Sequence, residues 1–415
     1  MKSNMFLKIR HVRSMMPHSA VKGLKLFGVL LALTVFMISA VACDKNPQKT
    51  TLGSDTATVT TESAETSEPT ASIEPTATPE PTATPTPSPT PAPGSPPFEP
   101  LVTNIFTADP SAHVFDGRIY IYGSHDQDEV FPSDNDGGAY RMIDYHVISI
   151  ESFDQDAVDH GVAFTVDDVA WAEKQLWAPD CAYKDGTYYF YFPAKDYDGI
   201  FRIGVATSDK PEGPFVPEEN YIDGSFSMDP SVFTDDDGTS YMVVGGIWGG
   251  QLERWQTGEY VIDGSTPSGD LPALTPAMTV MADDMLSFKD EPVFIEILDE
   301  NGDPIAANDE DRRFFEGAWI HKYNDTYYLS YSTGTTHYLV YATSDDPMGP
   351  YTYQGRILEP VSGWTTHHSI VEFEGQWYLF YHDAKISGRD SQRNIRYAPL
   401  TYNEDGTIAP VTIPK

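Results

Sequence analysis

Residues 108–126 read ADPSAHVFDGRIYIYGSHD. An acid, Asp109, leads; a mostly apolar run follows, then Asp116-Gly117, then the aromatic run Ile119 to Tyr122. Two strand-like runs about an Asp-Gly pair are a hairpin signature, because both residues accept the left-handed backbone of a tight turn. The pattern returns as DGTYYFYFP from Asp185, DGTSYMVVG from Asp237, NDTYYLSYS from Asn324 and EGQWYLFYH from Glu374. Helical periodicity is nearly absent, so the chain reads as all-β. A β-sandwich also has many turn-bounded strands, but it has no reason to repeat one hairpin. Five copies separated by roughly 50 to 90 residues predict a five-bladed β-propeller with insertions between the units.

The propeller is expected over residues 101–415. Residues 1–43 have a different character. Six Lys/Arg and no acid lie within the first 25 residues, and the apolar run FGVLLALTVFMISA spans Phe27 to Ala40. That order is a secretory signal peptide, and its apolar core is short for a membrane span. Ala40-Val41-Ala42-Cys43 resembles the box at which bacterial lipoproteins are cleaved and acylated. A lipid anchor at Cys43 and a cell-surface location are therefore expected, with plain cleavage after Ala42 and secretion as the alternative. Residues 44–100 are rich in Thr, Pro, Ser, Ala and Glu. They have too little apolar surface to fold and read as an extended spacer. Cys181 is the second of only two cysteines. No disulfide framework follows, and Cys181 reads as a small core residue. The net charge of −36 argues against nucleic acid or an anionic membrane surface as partner and suits a neutral ligand such as a sugar. Membrane contact is expected only through the anchor.

A second regularity precedes each turn. Six to nine residues upstream stand Asp109, Trp177, Asp229, Glu316 and the pair His367-His368. The equivalent strand of every propeller blade is the innermost, so these positions would meet near the axis. Asp-Pro pairs such as Asp109-Pro110 and Asp229-Pro230 are also common turn formers, and either alone reads more readily as structure. Two copies of DPS at one repeat phase, with an acid at that phase in a third repeat, favour chemistry. Cleaving a glycosidic bond needs an acid for the leaving oxygen and a base for water. Asp109 is the candidate base. Glu316, flanked by Phe314, Phe315, Ala318 and Trp319, is the candidate acid, since desolvation raises a carboxyl pKa. Asp229 is the candidate modulator of that acid. Trp177 reads equally as core or as a sugar platform. His367 reads as a core residue, a base or a cation ligand, and a calcium ion on one imidazole and waters would be an unusual site. No zinc spacing, EF-hand, P-loop, GxSxG or dinucleotide fingerprint is present.

These residues resemble glycoside hydrolase family 43, and within it the β-xylosidases with α-L-arabinofuranosidase activity. The resemblance is carried by TADPSAHVFDGRIYIYGSHD, QLWAPDCAYKDGTYYFYFPAKD, SMDPSVFTDDDG, GGIWGGQLERW, DRRFFEGAWIHKYN, GPYTYQGRILEP and GWTTHHSIVEFEGQWYLFYHD. It implies a five-bladed propeller and single-displacement hydrolysis with inversion; an exo-acting glycosidase releasing xylose from xylo-oligosaccharides is the reading adopted, the sequence leaving pocket or groove open. It implies Asp109 as base, Asp229 as pKa modulator, Glu316 as acid and Trp177 as a pocket wall. His367 would be the axial histidine, often beside calcium or water, with His368 the alternative. Arg393 would contact the terminal sugar, with Arg396 competing for that role. Many relatives carry an extra β-sandwich that helps to close the pocket. Here the sequence runs only to Lys415, so closure is expected from the long insertions at 127–167 and 253–311. α-L-Arabinofuranosidase or arabinan hydrolysis is the runner-up, and a non-catalytic sugar-binding propeller is the rival of another class.

Overall fold

The computed structural model describes residues 94–414. The signal peptide, Cys43 and nearly all of the spacer lie outside them. The described chain forms five sheets, antiparallel but for one parallel edge strand on the fourth, and no α-helix. Blade I holds Phe106–Phe115, Arg118–Asp126, Asp144–Ile150 and Val158–Thr165, in that order from the inside. The inner pairs of the others are Asp180–Lys184 with Thr187–Asp196, Ser231–Thr234 with Ser240–Val244, Phe314–Tyr323 with Thr326–Thr333, and His368–Phe373 with Gln376–Asp383. Each inner strand touches those of the two adjacent blades, so the five close a ring. The five hairpins of the sequence are thus the five innermost pairs.

The turns form for the reason their residues suggest. Pairing runs to Phe115↔Arg118, Lys184↔Thr187, Tyr323↔Thr326 and Phe373↔Gln376, leaving two-residue loops. Both loop residues have positive φ in each case, from 49° at Asn324 to 91° at Gly186, as a tight hairpin of right-handed twist requires. Blade III departs: Thr234 pairs with Ser240 around a five-residue loop. There Asp235 accepts from Lys322 Nζ and Tyr327 Oη of blade IV, so this acid ties two blades together.

The core lies between blades. The second strand of blade I sends Ile119 and Ile121 towards Phe380, Ile395 and Tyr397 of blade V. Its Tyr122 turns the other way, edge-on to Phe190 of blade II at 5.5 Å. Strands buried on both faces explain why the sequence shows apolar runs without clean alternation. Cys181 is a buried free thiol, as expected. The ring is closed by the segment before blade I. Phe98 and Leu101 donate backbone hydrogen bonds to Tyr397 and Ile395, and Ser95 pairs with Phe153. These contacts reach upstream of Leu101, where the sequence reading starts the propeller.

Candidate active site

The inner strands of blades I and IV do not run straight. Register shifts fall between Ala108 and Ser111, and on both sides of Glu316. Such bulges re-aim side chains. Asp109 (φ 53°), Asp229 (φ 54°) and Gly317 (φ 65°) all take the left-handed backbone, which non-glycine residues rarely hold unless surroundings enforce it. The result is that Asp109, Asp229, Glu316, His367, Trp177 and Arg393 all line one cavity of ≈ 940 Å³. All six candidates therefore converge.

Asp109 lies against Arg393, with Nη1 to Oδ1 at 2.8 Å and Nη2 to Oδ2 at 3.2 Å. Its backbone N–H donates to His382 Nδ1 at 2.9 Å. That leaves the His382 proton on Nε2, facing the Thr365 carbonyl at 3.0 Å. Burial and the neighbouring Arg393 push the His382 pKa down to about 3, so it stays neutral. Burial alone would raise the Asp109 pKa; Arg393 and His367 outweigh it and hold Asp109 far below the usual carboxylate range.

Glu316 is the opposite case. Burial comes first and the charges of Asp229 and Asp109 add to it, so its pKa is driven well above the ordinary value. Its Oε1 has no protein partner, as suits a proton donor waiting for a substrate oxygen. Asp229 is raised less, by burial, and is restrained by His367. It reaches the acid through the backbone: Gly317 N–H donates to Asp229 Oδ2 at 3.1 Å. Gly317 is required here. Its φ is positive, and a Cβ would sit 2.9 Å from the His367 ring.

The two doublets are resolved. His367 stands in the cavity with Nδ1 3.7 Å from Asp109 Oδ1, an ion-pair distance. His368 points into the blade IV–V seam, where Nε2 meets Ser330 Oγ at 2.6 Å and burial keeps the ring neutral. Arg396 serves the closure, bonding the Phe98 carbonyl and Asp383, and does not line the cavity. Trp177 is both core and wall. It is buried, its Nε1 donates to the Tyr140 carbonyl, and Gly137 and Gly249 lie against its ring.

Closure needs a correction. Of the 127–167 insertion, the loop 127–143 reaches the cavity; 144–165 supplies the two outer strands of blade I and the turn between them. That loop walls the cavity with Phe131, Gly137 and Tyr140, among others. Of 253–311, only Glu253 and Arg254 reach it; the preceding Ile247 to Gly249 do the closing. The remainder supplies the outer strands of blade III, Ala277–Val280 and Val293–Phe294, and an edge strand of blade IV, Ile297–Leu298, pairing parallel to Tyr351 and Thr352.

Sequence reasoning missed Asp126, which takes Arg393 on both oxygens at 2.8 Å, and also His382 and Thr365. Asp126 ends the second strand of blade I and His382 stands one residue before the end of blade V's second strand, at different distances past their turns, so the repeat comparison does not pair them.

The model of glycosyl hydrolases family 43 matches residues 99–408. The chain belongs to that family. It is 57% identical over 319 residues to Xylosidase/arabinosidase 43A of Humicola insolens, covering 74% of this chain and 98% of the relative. It is 50% identical over 310 residues to a Xylosidase/arabinosidase of Bacteroides ovatus, covering 74% and 95%. Among solved structures it resembles a family 43 β-xylosidase/α-arabinofuranosidase from a compost microbial metagenome, crystallised with xylotriose in a calcium-free form. That match has a TM-score of 0.75 and 59% identity, over 77% of this chain and 98% of the other. Family membership raises the question of a cation at the axis. The protein offers one imidazole there, His367. Burial lowers its pKa, yet Asp109 and Asp229 outweigh burial and raise it, so the field favours positive charge at that point. This fits a hydrated ion on a single ligand, not a cage of about six to eight oxygens. A separate group able to hold a metal ion, His125, Asp144 and His146, lies in blade I.

Proposed function

We propose that this family 43 protein removes terminal β-1,4-linked xylose from xylo-oligosaccharides, and α-L-arabinofuranosyl groups beside it, by single displacement with inversion. The observation that carries the reading is the pair of opposite carboxyl shifts in one cavity, Asp109 down and Glu316 up. Asp109, ionised against Arg393, accepts a proton from water as that water attacks the anomeric carbon. Glu316 gives its proton to the departing glycosidic oxygen. Asp229 keeps Glu316 protonated between turnovers by its nearby charge. Trp177 and Arg393 shape the sugar site. Walls from Phe131, Trp248, Trp364 and Asp390 around the cavity support action on a chain end. The names of the relatives support both sugars, since xylopyranose and arabinofuranose present similar hydroxyls.

Steady-state assays on p-nitrophenyl β-xyloside, the α-L-arabinofuranoside and xylobiose test this. Turnover of the xylosides is expected, with α-xylose as first product by NMR. Turnover of the arabinofuranoside alone would overturn the xylosidase reading. Binding without any hydrolysis would leave a sugar-binding propeller.

Asp229→Asn removes a negative charge beside Glu316 and so lowers the Glu316 pKa. The alkaline limb of kcat/KM, which reports the free enzyme's acid, should move to lower pH. A limb that stays put removes Asp229 from the modulator role.

A calcium ion at His367 would supply positive charge at the axis, with water as its other ligands. Chelation by EDTA should then lower activity and calcium restore it, with His367→Ala insensitive to both. Equal rates with and without EDTA would refute the ion.

For the export segment, acylation at Cys43 would tether the propeller to the cell surface through residues 44–93. Cys43→Ala should release the protein into the medium, and unchanged membrane retention would rule the anchor out.

A further inference from the structure

One cluster of titratable side chains takes no part in the chemistry above. His125 stands next to the end of the second strand of blade I, and Asp144 begins the third, with His146 two residues on. Ser124 pairs with Tyr145 and Gly123 with His146, so the alternation of side chains puts His125, Asp144 and His146 on one face. Gly123 carries no side chain opposite His146, and the two imidazole rings approach to 4.6 Å. One ligand atom from each of the three residues lies within 4.8 Å of the others. His125 Nδ1 meets Asp144 Oδ1 at 2.6 Å, while His146 Nδ1 meets Asp159 Oδ1 at 2.8 Å. The Asp159 contact is the carboxylate–histidine arrangement that orients an imidazole for a metal. It leaves Nε2 of His146 as the free nitrogen.

We propose that His125, Asp144 and His146 bind a divalent transition-metal ion of the zinc class, outside the catalytic cavity. Two imidazoles and one carboxylate suit zinc and its neighbours and do not suit calcium. The ion takes the place of the proton that His125 and Asp144 share, and water completes four-coordination. Bonds of about 2.0–2.1 Å at a tetrahedral angle need donor atoms roughly 3.3 Å apart. The closest pair therefore opens and the widest closes, by rotation of side chains that are 10–20% exposed.

The placement gives the site a consequence. His125 and Asp144 stand at the two ends of the 127–143 loop that walls the catalytic cavity. One ion joining them clips that loop at its base. It also steadies Asp126, next to His125, which holds Arg393. Metal occupancy should therefore stiffen the wall of the sugar pocket.

The test titrates the full chain with Co²⁺, whose visible absorption reports tetrahedral nitrogen and oxygen ligands, and then with Zn²⁺ in competition. One equivalent of Co²⁺ is expected, displaced by Zn²⁺. Asp159→Asn should weaken it by roughly 10–100-fold, and His146→Gln should abolish it. His367→Gln should leave it intact, which separates this site from any ion at the axis. Hydrolysis of p-nitrophenyl β-xyloside by His146→Gln shows that the variant folds; if it does not fold, Asp159→Asn carries the test. Zn²⁺ should also slow hydrogen exchange across residues 127–143. No stoichiometric binding, binding unchanged in both variants, or binding lost only in His367→Gln would overturn the proposal.

Discussion

Glu316→Ala should lower kcat on xylobiose by roughly 10²–10⁴-fold, the usual worth of a general acid, and lower it far less on p-nitrophenyl β-xyloside. The reason is the leaving group. An alkoxide cannot depart without a proton, whereas p-nitrophenolate leaves largely unaided. The Glu316 carboxyl is buried, unpartnered at Oε1 and beside two other acids, so it is protonated when the substrate arrives. Alanine removes the proton and also relieves the crowding of negative charge. Substrate binding should therefore survive, with KM little changed and kcat carrying the loss. Parallel kinetics on the two substrates check this. An equal fall on both would show that Glu316 positions the sugar and does not protonate it.

Arg393→Ala is expected to cost both stability and activity. The guanidinium is 1% exposed and shared between Asp109 and Asp126. Removing one partner of a buried ion pair typically costs about 3–5 kcal/mol, because the remaining charge stays buried without compensation. Here two carboxylates lose their partner. The pH consequence has a definite sign. Arg393 lowers the Asp109 pKa, so its loss lets burial raise that pKa. The base is then protonated at pH values where the wild type is ionised, and the acid limb of kcat/KM moves to higher pH. kcat/KM near neutrality should fall by roughly 10²-fold or more, as misplacement of a catalytic group does. Denaturant unfolding and a pH–rate profile check the two halves separately. Arg393→Lys should recover part of the stability, since one ammonium can pair with either carboxylate but cannot hold both bidentately. Wild-type stability together with a wild-type acid limb would remove Arg393 from this role.

Much of the site was legible because a propeller turns repeat phase into position. Asp109, Asp229, Glu316 and His367 stand before their turns at nearly one spacing, and inner strands of a ring must converge. What spacing could not decide was orientation at single-residue resolution. His368 begins the inner strand of blade V and His367 precedes it, and successive side chains point to opposite sides, one to the cavity and the other to Ser330. Arg393 and Arg396 differ by three places, so strand alternation puts them on opposite faces, one towards Asp109 and one towards Phe98. Asp126 carries no mark in the sequence. Its role exists only because blades I and V, first and last in the chain, are joined side by side. The same holds for the metal-binding face of blade I, where no short spacing unites His125 with Asp144 and His146.

The sequence by itself determined the five hairpins, the all-β ring they close into, and which carboxyl residues stand at the shared repeat phase. Local turn chemistry and repetition are properties of the chain read in order. Only the tertiary structure decided which carboxyl is ionised and which is protonated. That difference comes from burial and from charges brought in from distant blades, Arg393 on Asp109 and Asp229 on Glu316, and these energies depend on separation in space, not along the chain. The stretch 108–126 contributes both ends of that arrangement. It begins with Asp109, the proposed base, and ends with Asp126, which holds the arginine that favours the ionised form of Asp109.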